Sequence, residues 1–229
     1  MNKKREMNKF VILSLLLSAL YFFTGCAPKV APPPQYMEED LSLEDVIKKA
    51  GSDIEALKGI AEIRIEKNNE PYDFISASVI IKRPEQVHMR IYKFGMLVKD
   101  FVVRDGELYV ISGKGDEKLK NIAEEFLCSI FWWDNLKDAS MHRAGEEYVI
   151  KTLDREIHLD VATLLPLRQE IRTLKRIIYI TYSEPRNNEG FWYPSRLEIT
   201  ADGFRFIVTL DKLIKNPRLG AHDFKISGS

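Results

Sequence analysis

The chain has 229 residues with 34 basic and 34 acidic side chains, so it carries no formal net charge. Such balance argues against a nucleic-acid partner, which a one-sided basic excess would announce. Two cysteines exclude a disulfide-rich scaffold, and a single all-β domain of this length is ordinary.

Residues 1–25 read as a secretory signal. Lys3, Lys4, Arg5 and Lys9 precede fourteen largely apolar residues, Phe10 to Phe23, and the chain then reads Thr24-Gly25-Cys26. A membrane-spanning helix needs about 20 apolar residues, so this run, which also contains Ser14 and Ser18, is short for that role. The Thr-Gly-Cys ending resembles the lipobox of bacterial lipoproteins, which implies cleavage before Cys26 and acylation of its thiol. An ordinary cysteine behind a non-lipoprotein signal is the alternative. Two or three acyl chains on Cys26 would hold the chain stably on a membrane without a spanning segment. Removing residues 1–25 takes four basic and one acidic side chain from 34 of each and leaves 30 and 33. Cys128 then has no partner for an internal disulfide, so stability has to come from packing. Residues 26–40, with Pro28, Pro32, Pro33 and Pro34, are expected to form a tether, since proline fixes φ and lacks the backbone donor.

The folded domain is expected over 41–229. Ser42 with Asp45 three places on has the form of a capping box, and Leu43, Val46, Ile47, Ala50, Ile54 and Leu57 follow at helical spacing. Gly51 weakens that helix and can divide it in two. From Gly59 the period becomes two, the mark of strands with one buried and one wet face. Ala61, Ile63 and Ile65 begin it, followed by Ile75 to Ile81, Val87 to Ile91, Phe101 with Val103, and Leu108 with Val110. Asn68-Asn69 and Asp105-Gly106 mark turns between them. Asp116 to Trp133 returns to helical spacing through Leu119, Ile122, Ala123, Phe126, Leu127 and Ile130. Six further strands are read at Tyr148 with Ile150, Ile157 to Val161, Leu167 to Ile171, Ile178 to Tyr182, Leu197 with Ile199, and Phe204 to Leu210. About eleven antiparallel strands in one sheet must twist and curl. The predicted fold is therefore mainly β: an incomplete half-barrel whose apolar face is covered by helices. Alternation does not say whether the space beneath those helices is a cavity or a packed core.

This order of features resembles the LolA/LolB fold family, and within it the outer-membrane lipoprotein receptor LolB. Three stretches carry the likeness: Val87 to Leu97 as a strand, apolar loop and strand; Asp160 through Thr163 to Pro166 as a turn; and Tyr193 to Ile199 with Phe204 to Ile214 as the closing hairpin. The resemblance implies a carrier that accepts lipoprotein acyl chains in an apolar cavity and aids their insertion into the outer membrane. In the family a loop bears an exposed large apolar residue that assists transfer, and Phe94 matches it by position. Bottom-up, Phe94-Gly95-Met96-Leu97 sets three large apolar side chains around a glycine at a strand connection, and a strand that continues inward is the competing reading. The cavity expected from the likeness would be lined by Ile81, Met89, Ile91, Phe101, Val103 and Phe206 on the sheet and by Phe126 and Ile130 on the lid. The same residues can equally form a conventional core. Phe131-Trp132-Trp133 suits a cavity rim, core filling or an interfacial anchor. The implied partners are the membrane, reached through the Cys26 lipid, lipoprotein acyl chains and a LolA-like periplasmic carrier, with the chain itself a monomer. Ala27, where inner-membrane lipoproteins of enterobacteria carry aspartate, agrees with the outer membrane facing the periplasm.

No catalytic or cofactor signature stands out. His88, His142, His158 and His222 lack metal-type spacing, and neither Gly-x-Ser-x-Gly nor a phosphate-binding glycine loop occurs. Cys128 lies among apolar residues with no base beside it, as a buried inert thiol would. No enzyme, metal or cofactor is therefore expected, and a hydrolase with an unrecognised site is a distant rival. The nearer rival is a non-enzymatic envelope scaffold with a packed interior.

Overall fold

In the computed structural model, the described residues are 32–36, 41–51, 53–115, 117–174 and 176–225, without the side chains of 117–119, 121, 122 and 221. The expected signal segment and Cys26 lie outside them. Among the described residues no helix is long and apolar enough to cross a membrane.

Helix α1, Leu43–Ala50, begins at a complete capping box: Ser42 Oγ accepts from Asp45 N at 3.2 Å and the Asp45 carboxylate accepts from Ser42 N at 3.4 Å. The Ser42 hydroxyl, its strongest influence, holds the Asp45 carboxyl below its usual range. The helix stops at Gly51, so Ile54 and Leu57 do not extend it; Leu57 already lies on β1, Ala56–Lys67, three residues before the expected change of period. Gly51 is the C-cap, leaving helical geometry while its N–H still donates to Ile47 O, and a Cβ there would lie 2.8 Å from Trp133 Cζ2, which keeps the position to glycine.

Eleven strands follow β1: β2 (Glu70–Lys82), β3 (Gln86–Lys93), β4 (Met96–Arg104), β5 (Glu107–Ser112), β6 (Ser140–Ala144), β7 (Glu147–Lys151), β8 (Arg155–Asp160), β9 (Pro166–Arg172), β10 (Ile177–Asn188), β11 (Phe191–Ala201) and β12 (Phe204–Lys215). They form one antiparallel sheet in the order β5-β4-β3-β2-β1-β12-β11-β10-β9-β8-β7-β6. The sheet holds twelve strands, one more than the sequence reading. The missed strand, β6, is an exposed edge strand without alternation, because an edge at the sheet's margin has little to bury. Val161 belongs to the turn after β8 and not to the strand.

The half-barrel stays open, with β5 and β6 as its two edges. The chain passes between these edges through α2, Glu117–Ile130, which at 1.5 Å per residue is about 21 Å long. A connection from one edge to the other has to cross the apolar face, and this route makes α2 a lid. Its Ala123 and Phe126 join the same core as Leu57, Ile81, Met89, Phe101, Ile157 and Leu197 of the sheet.

The convex face has a small core of its own. Ile80, His88 and Val102 are buried where the C-terminal turn Ala221–Phe224 lies over β2 to β4. His88 Nε2 is 2.7 Å from Asp100 Oδ1, and its Nδ1 meets the Asp223 carbonyl. Both ring nitrogens face acceptors, so the imidazole bridges strand β4 and the C-terminal turn. This histidine is a buried polar residue of the convex face, set between two acceptors.

Candidate functional site

Two features stand apart from ordinary packing. The first is the β3–β4 hairpin. Lys93 pairs with Met96, leaving the two-residue loop Phe94-Gly95 with φ of +53° and +75°. Positive φ at both positions suits the twist of a hairpin, and asparagine, aspartate and glycine are the residues that adopt it cheaply. The loops at 68–69, 105–106 and 202–203 obey this with Asn, Asp and Asp in first place. Phe94 does not, and a bulky side chain there costs roughly 1–2 kcal/mol. Its ring is 89% exposed, with Met96 at 65% and Leu97 at 44%. The three residues proposed from sequence as a contact loop thus lie together and face solvent. The inward-continuing strand is ruled out. Tyr72 and Phe74 of β2 are also exposed, Tyr72 with its ring 5.9 Å from that of Phe204, and Asp73 between them pairs with Lys93 at 2.8 Å. Lys93 Nζ lies 5.9 Å from the Phe94 ring centre.

The second feature is the space beneath the lid. Ile81, Met89, Ile91, Phe101, Val103 and Phe126 are buried in the core, while Ile130 and Phe206 are half-buried. A small cavity of about 40 Å³ does exist, but of these eight residues Ile130 alone borders it. Its wall comes from the other half of the sheet and from the lid's end: Trp132, Trp133, Tyr182, Tyr193, Leu197 and Leu210 among others. The cavity lies there because large side chains of β2 to β4 fill their part of the interior against α2. A void of this size is far below the roughly 300–1,000 Å³ of ligand pockets. Beside it opens a groove of about 470 Å³ that shares Ala50, Leu164, Leu165 and Phe191 with the cavity wall. Pro34 and Tyr36, at the end of the expected tether, also line that groove, and Tyr36 N donates to Ala162 O at 2.7 Å.

Polar contacts fasten the lid. The Tyr182 hydroxyl lies 2.7 Å from Ser129 O, and Arg155 Nη1 donates to the carbonyls of Trp132 and Asp134 at 3.3 and 3.2 Å. Arg176 joins Glu125 of the lid to Asp202 of the β11–β12 turn. Asp134 meets Arg83 at 2.6 Å, yet burial outweighs that cation and raises its carboxyl above the usual range. Burial likewise raises the Tyr182 phenol and the Cys128 thiol, so neither is poised as a nucleophile. Among the described residues no group of three or more histidine, cysteine, aspartate or glutamate side chains is placed to hold a metal.

Alternation with Ile178 and Ile180 already sets Tyr182 on the apolar face of β10, whereas Gln169 was missed. Gln169 shares the inward face of β9 with Ile171, and a polar residue at an inward position was the available signal.

An open antiparallel sheet with a helical lid crossing between its edges defines a fold class with solved members. A LolA superfamily protein from Nitrosomonas europaea superimposes with a TM-score of 0.59 at 13% identity, covering 81% of this chain and 98% of that one. A putative outer membrane lipoprotein-sorting protein domain from Vibrio parahaemolyticus gives 0.50 at 12% identity, covering 80% of this chain and 94% of that one. A DUF1329 family protein from Desulfovibrio piger matches with the same TM-score, identity and coverage. The chain therefore has the LolA-like fold. No family model and no curated protein matches the sequence.

Proposed function

We propose that this chain is a LolB-like lipoprotein of the outer membrane. In this reading residues 1–25 are a signal, Cys26 carries the lipid, residues 26–40 space the domain from the bilayer, and the half-barrel of 41–229 receives lipoprotein acyl chains from a LolA-like carrier. The observation that carries it is Phe94: a phenylalanine kept at a hairpin tip against both backbone preference and water, where asparagine would satisfy both. Such a side chain earns its place by entering a lipid surface or the chains being moved, with Met96 and Leu97 beside it. The lipoprotein-sorting description of the Vibrio neighbour supports the same direction.

The closed interior sets a condition. Acyl chains gain roughly 0.8 kcal/mol per methylene removed from water, but a 40 Å³ void does not admit them. Loading then requires α2 to move outward, breaking its polar fastenings and exposing the faces of Ile81, Met89, Ile91, Phe101, Val103, Phe126, Ile130 and Phe206. A second reading rests on that same small volume: a lipid-anchored envelope scaffold with a permanently packed core.

A transfer assay separates the two, with a lipoprotein-loaded donor, the full chain in detergent micelles and acceptor vesicles. The carrier reading expects cargo to pass to the chain and then to vesicles, and Phe94→Glu to stop the second step while leaving the fold intact. Absence of any cargo transfer to the wild-type chain leaves the scaffold.

A further inference from the structure

The carrier reading gives Phe131-Trp132-Trp133 no task beyond filling space, yet Trp133 has a chemical irregularity. It is 8% exposed, borders the 40 Å³ cavity, and its Nε1 is buried without an acceptor. Among the described residues one other buried side-chain nitrogen lacks a partner, Gln169 Nε2. That second vacancy belongs to an amide, which can be turned over. The Tyr182 hydroxyl has one proton but lies 2.9 Å from Gln169 Oε1 as well as 2.7 Å from Ser129 O. Turning the Gln169 amide over makes Nε2 the donor to Tyr182 Oη, leaves the hydroxyl proton for the Ser129 carbonyl, and exchanges the unpaired donor for an unpaired carbonyl oxygen, the commoner kind of vacancy. An indole has no such alternative, because it is a donor only.

A buried donor left unpaired is costly, and native interiors rarely keep one without an occupant that the bare chain does not show. The position of Trp133 narrows what that occupant is. Its ring lies between the cavity it borders and Gly51, which lines the outer groove and whose added Cβ would touch the ring at 2.8 Å. The indole thus stands between the cavity and the groove. The hydroxyls on the cavity wall, those of Ser129, Tyr182 and Tyr193, are already bonded, to Phe126 O, Ser129 O and Leu213 N, and the rest of it is mainly hydrocarbon, with Leu57, Ile130, Leu164, Leu197, Leu210 and Leu213. A largely apolar chamber with one unpartnered donor on its wall matches an amphiphile with apolar tails and a carbonyl at their head.

Resting on the carrier reading, we infer that Trp133 Nε1 donates to the ester carbonyl of a bound acyl chain, fixing the depth at which the tails enter. Alkyl tails alone would bind without regard to linkage; a carbonyl makes the site selective for acyl esters over alkyl ethers. Glycerolipids and lipoproteins share this ester chemistry.

The test compares tail-matched probes, dipalmitoylglycerol and its dihexadecyl ether analogue, titrated against the full chain and against Trp133→Phe. One net hydrogen bond predicts an ester preference of roughly two- to tenfold in the wild type. In Trp133→Phe that preference falls to about one, while ether affinity stays within about twofold. Competition by an S-diacylglyceryl-cysteinyl peptide identifies the source: stronger displacement than by dipalmitoylglycerol points to lipoprotein, equal or weaker displacement to free glycerolipid, and both uphold the carbonyl contact. Equal binding of ester and ether by the wild type overturns the inference and leaves a water on the indole, since a 40 Å³ void also holds one. An ester preference that survives in Trp133→Phe overturns it too. Failure of both probes to bind the wild type removes the carrier reading itself. The wild-type ratio stands whether or not the variant folds.

Discussion

Phe94-Gly95-Met96-Leu97 and Phe131-Trp132-Trp133 are two short apolar clusters of similar composition with opposite fates. The first is exposed at the tip of the β3–β4 hairpin, and the second is buried at the end of α2. Hydrophobicity did not choose between them; position did. A hairpin tip at the rim of an open sheet has no layer above it, whereas the residues that end a lid are carried onto the apolar face beneath. The difference separates what stabilises this domain from what the domain offers to another molecule.

Substitutions should reproduce that contrast. Phe101, fully buried beneath the lid, has the largest expected effect: Phe101→Ala should cost about 3–5 kcal/mol in urea unfolding, mostly through the cavity left behind. If it costs under about 1 kcal/mol, the interior is already loose. Gly51→Ala puts a methyl against Trp133 Cζ2 at 2.8 Å and should destabilise by about 1–3 kcal/mol, the cost of overpacking. Pairing it with Trp133→Ala should recover part of the loss in a double-mutant cycle.

On the exposed side the sign reverses. Phe94→Asn should raise stability by about 1 kcal/mol, because asparagine accepts the positive φ, while reducing association with lipid vesicles measured by flotation. A loss of stability would mean that the ring packs on something in solution. The smallest effect belongs to the outer-face cluster in which Glu147 bonds Arg168 and His158, and Glu156 bonds His158 and Lys151. These bonds, in that order, hold both carboxyls below their usual 4.5. A depressed carboxyl adds stability above its unfolded pKa and loses it as pH falls through the lower folded value. Being near the surface, the pairs should contribute no more than about 1 kcal/mol. Urea titrations of a Glu147→Gln, Glu156→Gln double variant should match wild type at about pH 3 and fall slightly below it at neutral pH.

Much of this could be read in one dimension. Alternation located eleven of the twelve strands, Asn68-Asn69 and Asp105-Gly106 marked two of the tight turns, and Ser42 with Asp45 placed the start of α1. Those signals are local, since burial of one face, a positive φ and an unpaired helix N–H each leave their mark on the residues concerned. Strand β6 escaped because an exposed edge buries too little to alternate. The eight residues expected around a cavity face the interior as periodicity implied, but the void opens beneath β10 to β12.

The sequence alone determined which side chains face inward and that the chain would form a curled sheet with a lid, because period and turn chemistry act over a few residues. Only the tertiary structure decided which of those inward residues touch one another, where volume is left unfilled and which buried donor lacks an acceptor. Those are sums over side chains far apart in the chain, such as Gly51 with Trp133 and Ser129 with Tyr182, and no local pattern encodes them.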